Sequence, residues 1–110
     1  MASYTPASFV KEIDGQVNRI LRQVKPDEYN EKSRKAIVEL KQNLTDARIY
    51  AHDYELSETR EEQVDNAKQA KKWLEQARTY ILKASEHNIF DAIDVAHLSA
   101  QIDQLKADLK

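Results

Sequence analysis

The sequence predicts an all-α protein: an antiparallel up-down-up-down four-helix bundle built on a long central helical hairpin. Two observations carry this prediction, namely apolar residues at helical spacing along most of the chain and very little turn chemistry. The 110 residues include one glycine and two prolines, and 33% of them are charged. This composition favours few long helices over many short strands, and the length suits one domain, residues 1–110.

The hairpin is predicted from two apolar seams on either side of a short polar segment. In each seam apolar residues recur at alternating intervals of three and four, the pattern of antiparallel helices packed like a coiled coil. The first seam consists of Ile37, Leu40, Leu44, Ala47, Ala51 and Tyr54, and the second of Ala67, Ala70, Leu74, Ala77, Ile81 and Ala84. Between them either Ser57 or Thr59 is predicted to cap the third helix, and Thr59 with Glu62 three residues later has the form of a capping box.

Start and stop signals define the other boundaries. Thr5 is predicted to cap the first helix, with Pro6 in its first turn. Pro26 ends that helix because it cannot donate to the helical ladder, and Asp27 is predicted to cap the next. Asp91 is the predicted cap of the last helix. The four predicted helices span about residues 6–24, 27–55, 58–87 and 91–109.

The unequal helix lengths suggest where a partner binds. Helices one and four have roughly 19 residues each, about 28 Å, whereas the two central helices measure about 42 Å. Both short helices leave from the open end of the hairpin, so both are expected to cover that half and leave the turn end projecting. Tyrosine and arginine, which are enriched in interface hot spots, cluster at this end. The predicted partner-binding residues are Arg48, Ile49, Tyr50, His52, Tyr54, Leu56 and Arg60. The alternative is that Tyr50 and Tyr54 only cover the end of the seam while the charged residues keep the tip in solution.

Two helices carry a second apolar stripe on the side away from the main seam. On helix two the stripe consists of Val38, Thr45, Ile49, His52 and Leu56, and on helix four of Ile93, Ala96, Ala100 and Ala107. A helix with apolar residues on two faces touches two neighbours, either within its own bundle or in another chain. If the helix-two stripe is unburied in the monomer, we expect a homodimer across it.

Composition argues against several classes of function. The absence of cysteine excludes disulfides, thiolate metal sites and thiol catalysis. A formal net charge of −2 gives no general attraction to nucleic acid or to an anionic membrane, and neither is an expected partner. The first residues lack the pattern of a signal peptide and no apolar stretch approaches membrane-spanning length. We therefore expect a cytoplasmic protein.

A few polar and aromatic pairs invite a chemical interpretation, and none has the full pattern that its chemistry needs. Asp94 and His97 have the spacing of a di-iron half-motif, but that motif occurs once and flanks the seam. Arg48 and His52 could serve a small helical nuclease, but no pocket is implied. The basic cluster of Lys68, Lys71, Lys72 and Arg78 is interpreted as a solvated helix face rather than a nucleic-acid-binding stripe. Trp73 and Tyr80 are interpreted as part of the peripheral core rather than as a ligand cage.

The favoured function is therefore a non-enzymatic protein–protein interaction module, such as an adaptor, a small regulator or a chaperone-like bundle. It requires no metal or other cofactor, and its partner is another protein or a second copy of the chain. The alternative is a small enzyme or ligand-binding bundle that uses Arg48, His52 and the tyrosines near the turn. A concave pocket lined by those groups would favour the alternative, and a convex surface there would favour the module.

Overall fold

A computed structural model of the chain describes residues 5–24, 31–86 and 89–109. The described residues form four α-helices and no strand, which confirms the predicted all-α class. The helices are α1 (Pro6–Gln23), α2 (Glu31–Leu56), α3 (Arg60–Ser85) and α4 (Ala92–Asp108). The predicted signals Pro26 and Asp27 lie outside the described residues. None of the described helices is long and apolar enough to span a membrane.

Three predicted caps are confirmed. Each cap side chain accepts a hydrogen bond from the backbone N–H three residues later: Thr5 from Ser8 at 3.2 Å, Thr59 from Glu62 at 3.1 Å and Asp91 from Asp94 at 2.8 Å. The capping box at Thr59 differs in one partner, because the Glu62 carboxylate accepts from the backbone of Glu58 at 3.2 Å. Both interactions satisfy free N–H groups at or before the start of α3.

The central hairpin of α2 and α3 forms the scaffold on which both short helices pack. Helix α1 packs on α2, α4 packs on α3, and α1 and α4 share a smaller contact. Directions alternate, since the backbone N–H of Ala7 near the start of α1 donates to Glu55 Oε1 near the end of α2 at 2.8 Å. At the other outer pair, Arg78 on α3 donates to the Asp103 carboxylate on α4.

The expectation that both short helices cover the same half of the hairpin is wrong. Helix α1 reaches the turn end through the contact of Ala7 with Glu55, and farther along it Asn18 accepts a hydrogen bond from Lys41. Helix α4 instead lies beside the second half of α3, where Lys106 donates to Glu75. The length argument assumed that α1 ends level with the start of α2. Helix α1 is displaced along α2 toward the turn, so the two short helices are staggered.

The core follows the predicted seams closely. Every buried position of α3 belongs to the predicted seam, and on α2 only Ser33, Ala36 and Asn43 are added to it. Alanines of the two central helices near the turn, such as Ala47 and Ala70, are fully buried. Small side chains allow the backbones to approach closely. The largest buried side chains are Phe90, Ile13, Leu40, Leu44, Leu74, Ile81, Leu98, Ile102, Leu105 and Leu109.

Candidate protein interface

The outward face of α2 carries a line of exposed apolar side chains. Val38, Ile49 and Leu56 are 65%, 51% and 65% exposed, although each lies on a helix whose opposite face is buried. Gln42, Thr45 and His52 fill the positions between them and are also exposed. We call these six residues the outer stripe. From Val38 to Leu56 the stripe runs about 27 Å along the helix at 1.5 Å per residue.

Charged side chains of opposite sign border the outer stripe. Going round the helix at 100° per residue, one border is basic and the other acidic. The basic flank consists of Arg34, Lys41 and Arg48, and the acidic flank of Glu39, Asp46 and Asp53. Within each flank the residues recur every seven positions, as do the stripe residues themselves. The separation of basic and acidic residues onto opposite sides of the stripe can be read from the sequence, but the apolar pattern by itself does not reveal it.

Most of these flanking charges are not engaged within the monomer. Among the described residues, Arg34, Arg48, Glu39 and Asp53 are exposed and form no salt bridge. Lys41 is the exception, because its ammonium lies 3.5 Å from Asp14 Oδ1 on α1 and also donates to Asn18. The side chain of Gln42 donates to Asp46 Oδ1 at 3.3 Å along the same helix. Four of the six flanking charges therefore remain available to a partner.

The structure separates the predicted turn-end residues into different surroundings. Ile49, His52 and Leu56 lie on the outer stripe, with Arg48 beside it on the basic flank. Tyr50 and Tyr54 are half-buried and pack against the core.

Arg60, the last of the predicted binding residues, is exposed at the start of α3, where its guanidinium donates to Gln63 Oε1 at 2.7 Å. The turn end is not bare, since α1 contacts Glu55. The binding role of the seven residues stays a prediction. The argument that they lie together at an uncovered, projecting tip no longer supports it.

Arg48 and His52 both lie exposed on α2. The side chain of His52 is 60% exposed and its Nδ1 lies 3.8 Å from Glu55 Oε2. Two depressions on the surface of the described residues, of about 870 and 340 Å³, lie elsewhere. The larger lies between the start of α2 and the end of α3, beside Tyr80 and Lys83.

The other candidate pairs lie away from the outer stripe of α2. Asp94 and His97 border the smaller depression beside Arg19 of α1. No group of three or more histidine, aspartate or glutamate side chains suited to a metal ion occurs within residues 5–24, 31–86 and 89–109. Trp73 and Tyr80 pack against the core, as the peripheral-core interpretation predicted.

The basic cluster on α3 is partly engaged with its own surroundings. The ammonium of Lys72 lies 5.1 Å from the ring centroid of Trp73, a cation–π distance. Arg78 pairs with Asp103 on α4 and lies 3.9 Å from Glu75. Lys68 and Lys72 are exposed, as a solvated face predicts, whereas Arg78 is partly buried in its contact with α4.

Helix α4 has a smaller unburied surface. Ile93 is 79% exposed, and Ala96, Ala100 and Ala107 on the same side are exposed as well. Neither second stripe is therefore covered within the monomer. The α4 surface offers one large apolar side chain, whereas the outer stripe of α2 offers three.

Comparison with known proteins adds no further constraint on this surface. No protein-family model, curated protein or solved structure significantly matches the chain.

Proposed function

We propose that this protein is a non-enzymatic protein–protein interaction module that docks a partner helix along the outer stripe of α2. The observation that carries the proposal is the exposure of Val38, Ile49 and Leu56 in one line. Exposed apolar side chains scattered singly are ordinary on a protein surface, whereas a line of them marks a contact. The spacing matches the way an amphipathic helix presents its anchors to another helix.

The surface suits a helix better than a small molecule. Most of it is the outside of a single helix, and a second helix can lie along it for about 27 Å. At one end Val38, with Arg34 and Glu39, borders the larger depression beside α3. Burial of apolar area supplies affinity, and the charged flanks supply specificity. We place this module in the cytoplasm, without a cofactor, on the sequence grounds given above.

Site-specific photo-crosslinking tests the proposal. A benzophenone amino acid at Leu56 should yield protein adducts of defined size in the native lysate. The matched control carries the same probe at Lys68, an exposed position of α3, and should yield none of these adducts. Stripe and control probes that give the same adducts, or no stripe adduct at all, would contradict the proposal.

The variant Ile49→Glu makes the test specific to the stripe. Introducing it into the Leu56 probe protein should abolish the adduct, because docking would bury an unpaired carboxylate at a cost of several kcal/mol. Circular dichroism should still show a folded helical protein, since Ile49 is half-exposed in the monomer. An adduct that persists with this variant would place the contact elsewhere.

A further inference from the structure

We propose that the helix docked on the outer stripe is α2 of a second copy of this chain, running parallel to the first. The twofold axis of this dimer runs along the stripe. The inference rests on the proposed function, because it names the occupant of the same surface. It is carried by the order of charges along α2, which is complementary to itself in one orientation and not in the other.

The outer stripe has the register of a two-stranded coiled coil. Its residues form two series with seven-residue spacing, Val38, Thr45 and His52 in one and Gln42, Ile49 and Leu56 in the other. The first series occupies heptad positions d and the second positions a, since the step from d to a is four residues and from a to d is three. Ile49, a β-branched residue, then stands at position a, where such residues favour two strands in a parallel coiled coil, whereas Val38 at d and Leu56 at a do not follow that pattern.

The two flanks occupy the positions that set orientation in coiled coils. The basic residues Arg34, Lys41 and Arg48 are at g, and the acidic residues Glu39, Asp46 and Asp53 are at e. In a parallel pair, each g residue faces the e residue five positions later in the other helix. This matches Arg34 with Glu39, Lys41 with Asp46 and Arg48 with Asp53, each pair occurring twice across the axis. All of these pairs are of opposite charge.

An antiparallel pair reverses this result. There g residues face g residues and e residues face e residues, so basic side chains would oppose basic ones and acidic side chains acidic ones. Like charges brought together across an interface disfavour that arrangement. The same charges therefore promote one orientation and oppose the other, which fixes the partner as a parallel copy.

The surroundings of α2 define the extent of the contact. Lys35 occupies the next a position toward the start of the helix and would meet its own copy, so the pairing covers residues 38–56. The outer stripe faces away from the buried side of α2, so packing of the bundle does not obstruct it. Three of its six residues are polar or ionisable, and we expect a dimer that dissociates on dilution.

Charge-reversal variants test both the dimer and its orientation by sedimentation equilibrium. In a parallel dimer, R48E and D53R should each weaken association by about tenfold or more, because each places like charges at two g–e contacts, and the double variant R48E/D53R should recover most of the loss. The exposed control K68E should leave association unchanged. In an antiparallel dimer positions 48 and 53 do not meet, so the double variant R48E/D53R would recover nothing, and that result would overturn the parallel arrangement.

Disulfide trapping gives an independent measure of orientation, since the natural chain contains no cysteine. The single variants V38C and L56C, carrying tags of different mass, are mixed and oxidised. A parallel dimer brings each residue beside its own copy, so both like-with-like disulfides should form and the mixed one should be rare. Predominance of the mixed disulfide would overturn the parallel arrangement.

The two proposals fail in distinguishable ways. A natural chain that sediments as a monomer at high micromolar concentration and forms no like-with-like disulfide overturns the homodimer. The proposed function survives that result if the Leu56 probe still gives an adduct with a different protein. Both fail if the stripe probes give no adduct of any kind.

Discussion

Two faces of α2 follow the same alternation of three and four residues, but one is buried and the other is exposed. On the inner face, Leu40, Leu44 and Ala47 are completely covered by the neighbouring helices. On the outer face, Val38, Ile49 and Leu56 lie eleven and seven residues apart, with polar residues at the heptad positions between them, and remain exposed. The difference teaches that spacing determines which side chains share a face, whereas the neighbours available in the fold determine whether that face is buried.

The faces also differ in what separates the apolar residues. The inner face carries Leu40 and Leu44 followed by Ala47 and Ala51 toward the turn, and these small residues allow a close contact with α3. The outer stripe interposes Gln42, Thr45 and His52, and charged flanks of opposite sign border it. A surface exposed when the monomer is free benefits from them, because they limit nonspecific association.

The largest expected effect is a difference in protein stability between substitutions on the inner and outer faces of α2. Leu44→Ala should lower the free energy of unfolding by about 2–5 kcal/mol, since it removes a fully buried side chain and leaves a cavity. The matched variant Leu56→Ala should change it by less than about 0.5 kcal/mol in dilute monomer. Urea denaturation at low micromolar concentration measures both. Equal losses for the two variants would break the distinction between the faces.

The next largest expected effect is a gain in dimer affinity when a polar residue of the outer stripe is replaced by an apolar one. Gln42→Leu replaces a polar residue at an a position, and each copy contributes one new buried leucine, worth about 1.5–3 kcal/mol when fully buried. We expect dimer affinity to rise at least about tenfold, with unchanged helicity. Sedimentation equilibrium and circular dichroism provide the two measurements. A variant that stays as weakly associated as the natural chain would count against a contact at Gln42.

The seams and caps could be predicted from the sequence because both depend on short-range order. Ile37, Leu44 and Leu74 lie on one side of their helices at fixed intervals, and the bundle buries that side. Asp91 caps α4 through an interaction that spans only three residues. Predictions of this kind need no knowledge of how one helix slides along another.

The stagger of the short helices could not be predicted in the same way. Helix lengths constrain how much of the hairpin α1 can cover, but not which half it covers. Contacts such as those of Ala7 with Glu55 and Asn18 with Lys41 set that position. These residues are far apart in the sequence and have no recognisable spacing. The candidate site inherited this error, since it was placed at a tip assumed to be uncovered.

Tyr54 and Arg48 test the boundary between the two faces with a smaller expected effect. Tyr54→Ala should lower the free energy of unfolding by roughly 1–3 kcal/mol, because its half-buried ring packs against the core. Arg48→Ala should leave it nearly unchanged and weaken dimerisation instead, because the side chain lies exposed on the basic flank. Thermal melts and sedimentation measure the two properties. A Tyr54→Ala protein that melts like the natural chain would place this tyrosine on the outer side of the boundary.

The smallest expected effect concerns Glu75 on α3, a charged residue that is already paired within the monomer. Lys106 donates a hydrogen bond to Glu75, and this contact, with help from Arg78, lowers the pKa of Glu75 below its ordinary value of 4.5. Because the pKa is lowered on folding, the contact stabilises the protein at neutral pH and ceases to do so as pH falls through the folded-state value.

The melting temperature of Glu75→Gln should therefore lie slightly below that of the natural chain at pH 7, and the difference should close as the pH is lowered well below 4.5. The effect is small, because Glu75 is half-exposed and solvent screens the pair. Asp53→Asn on α2 provides the comparison: in dilute monomer it should show no such difference at either pH, since Asp53 forms no salt bridge among the described residues. A pH-dependent loss in the Asp53 variant that appears only as concentration rises would locate its partner across the dimer contact.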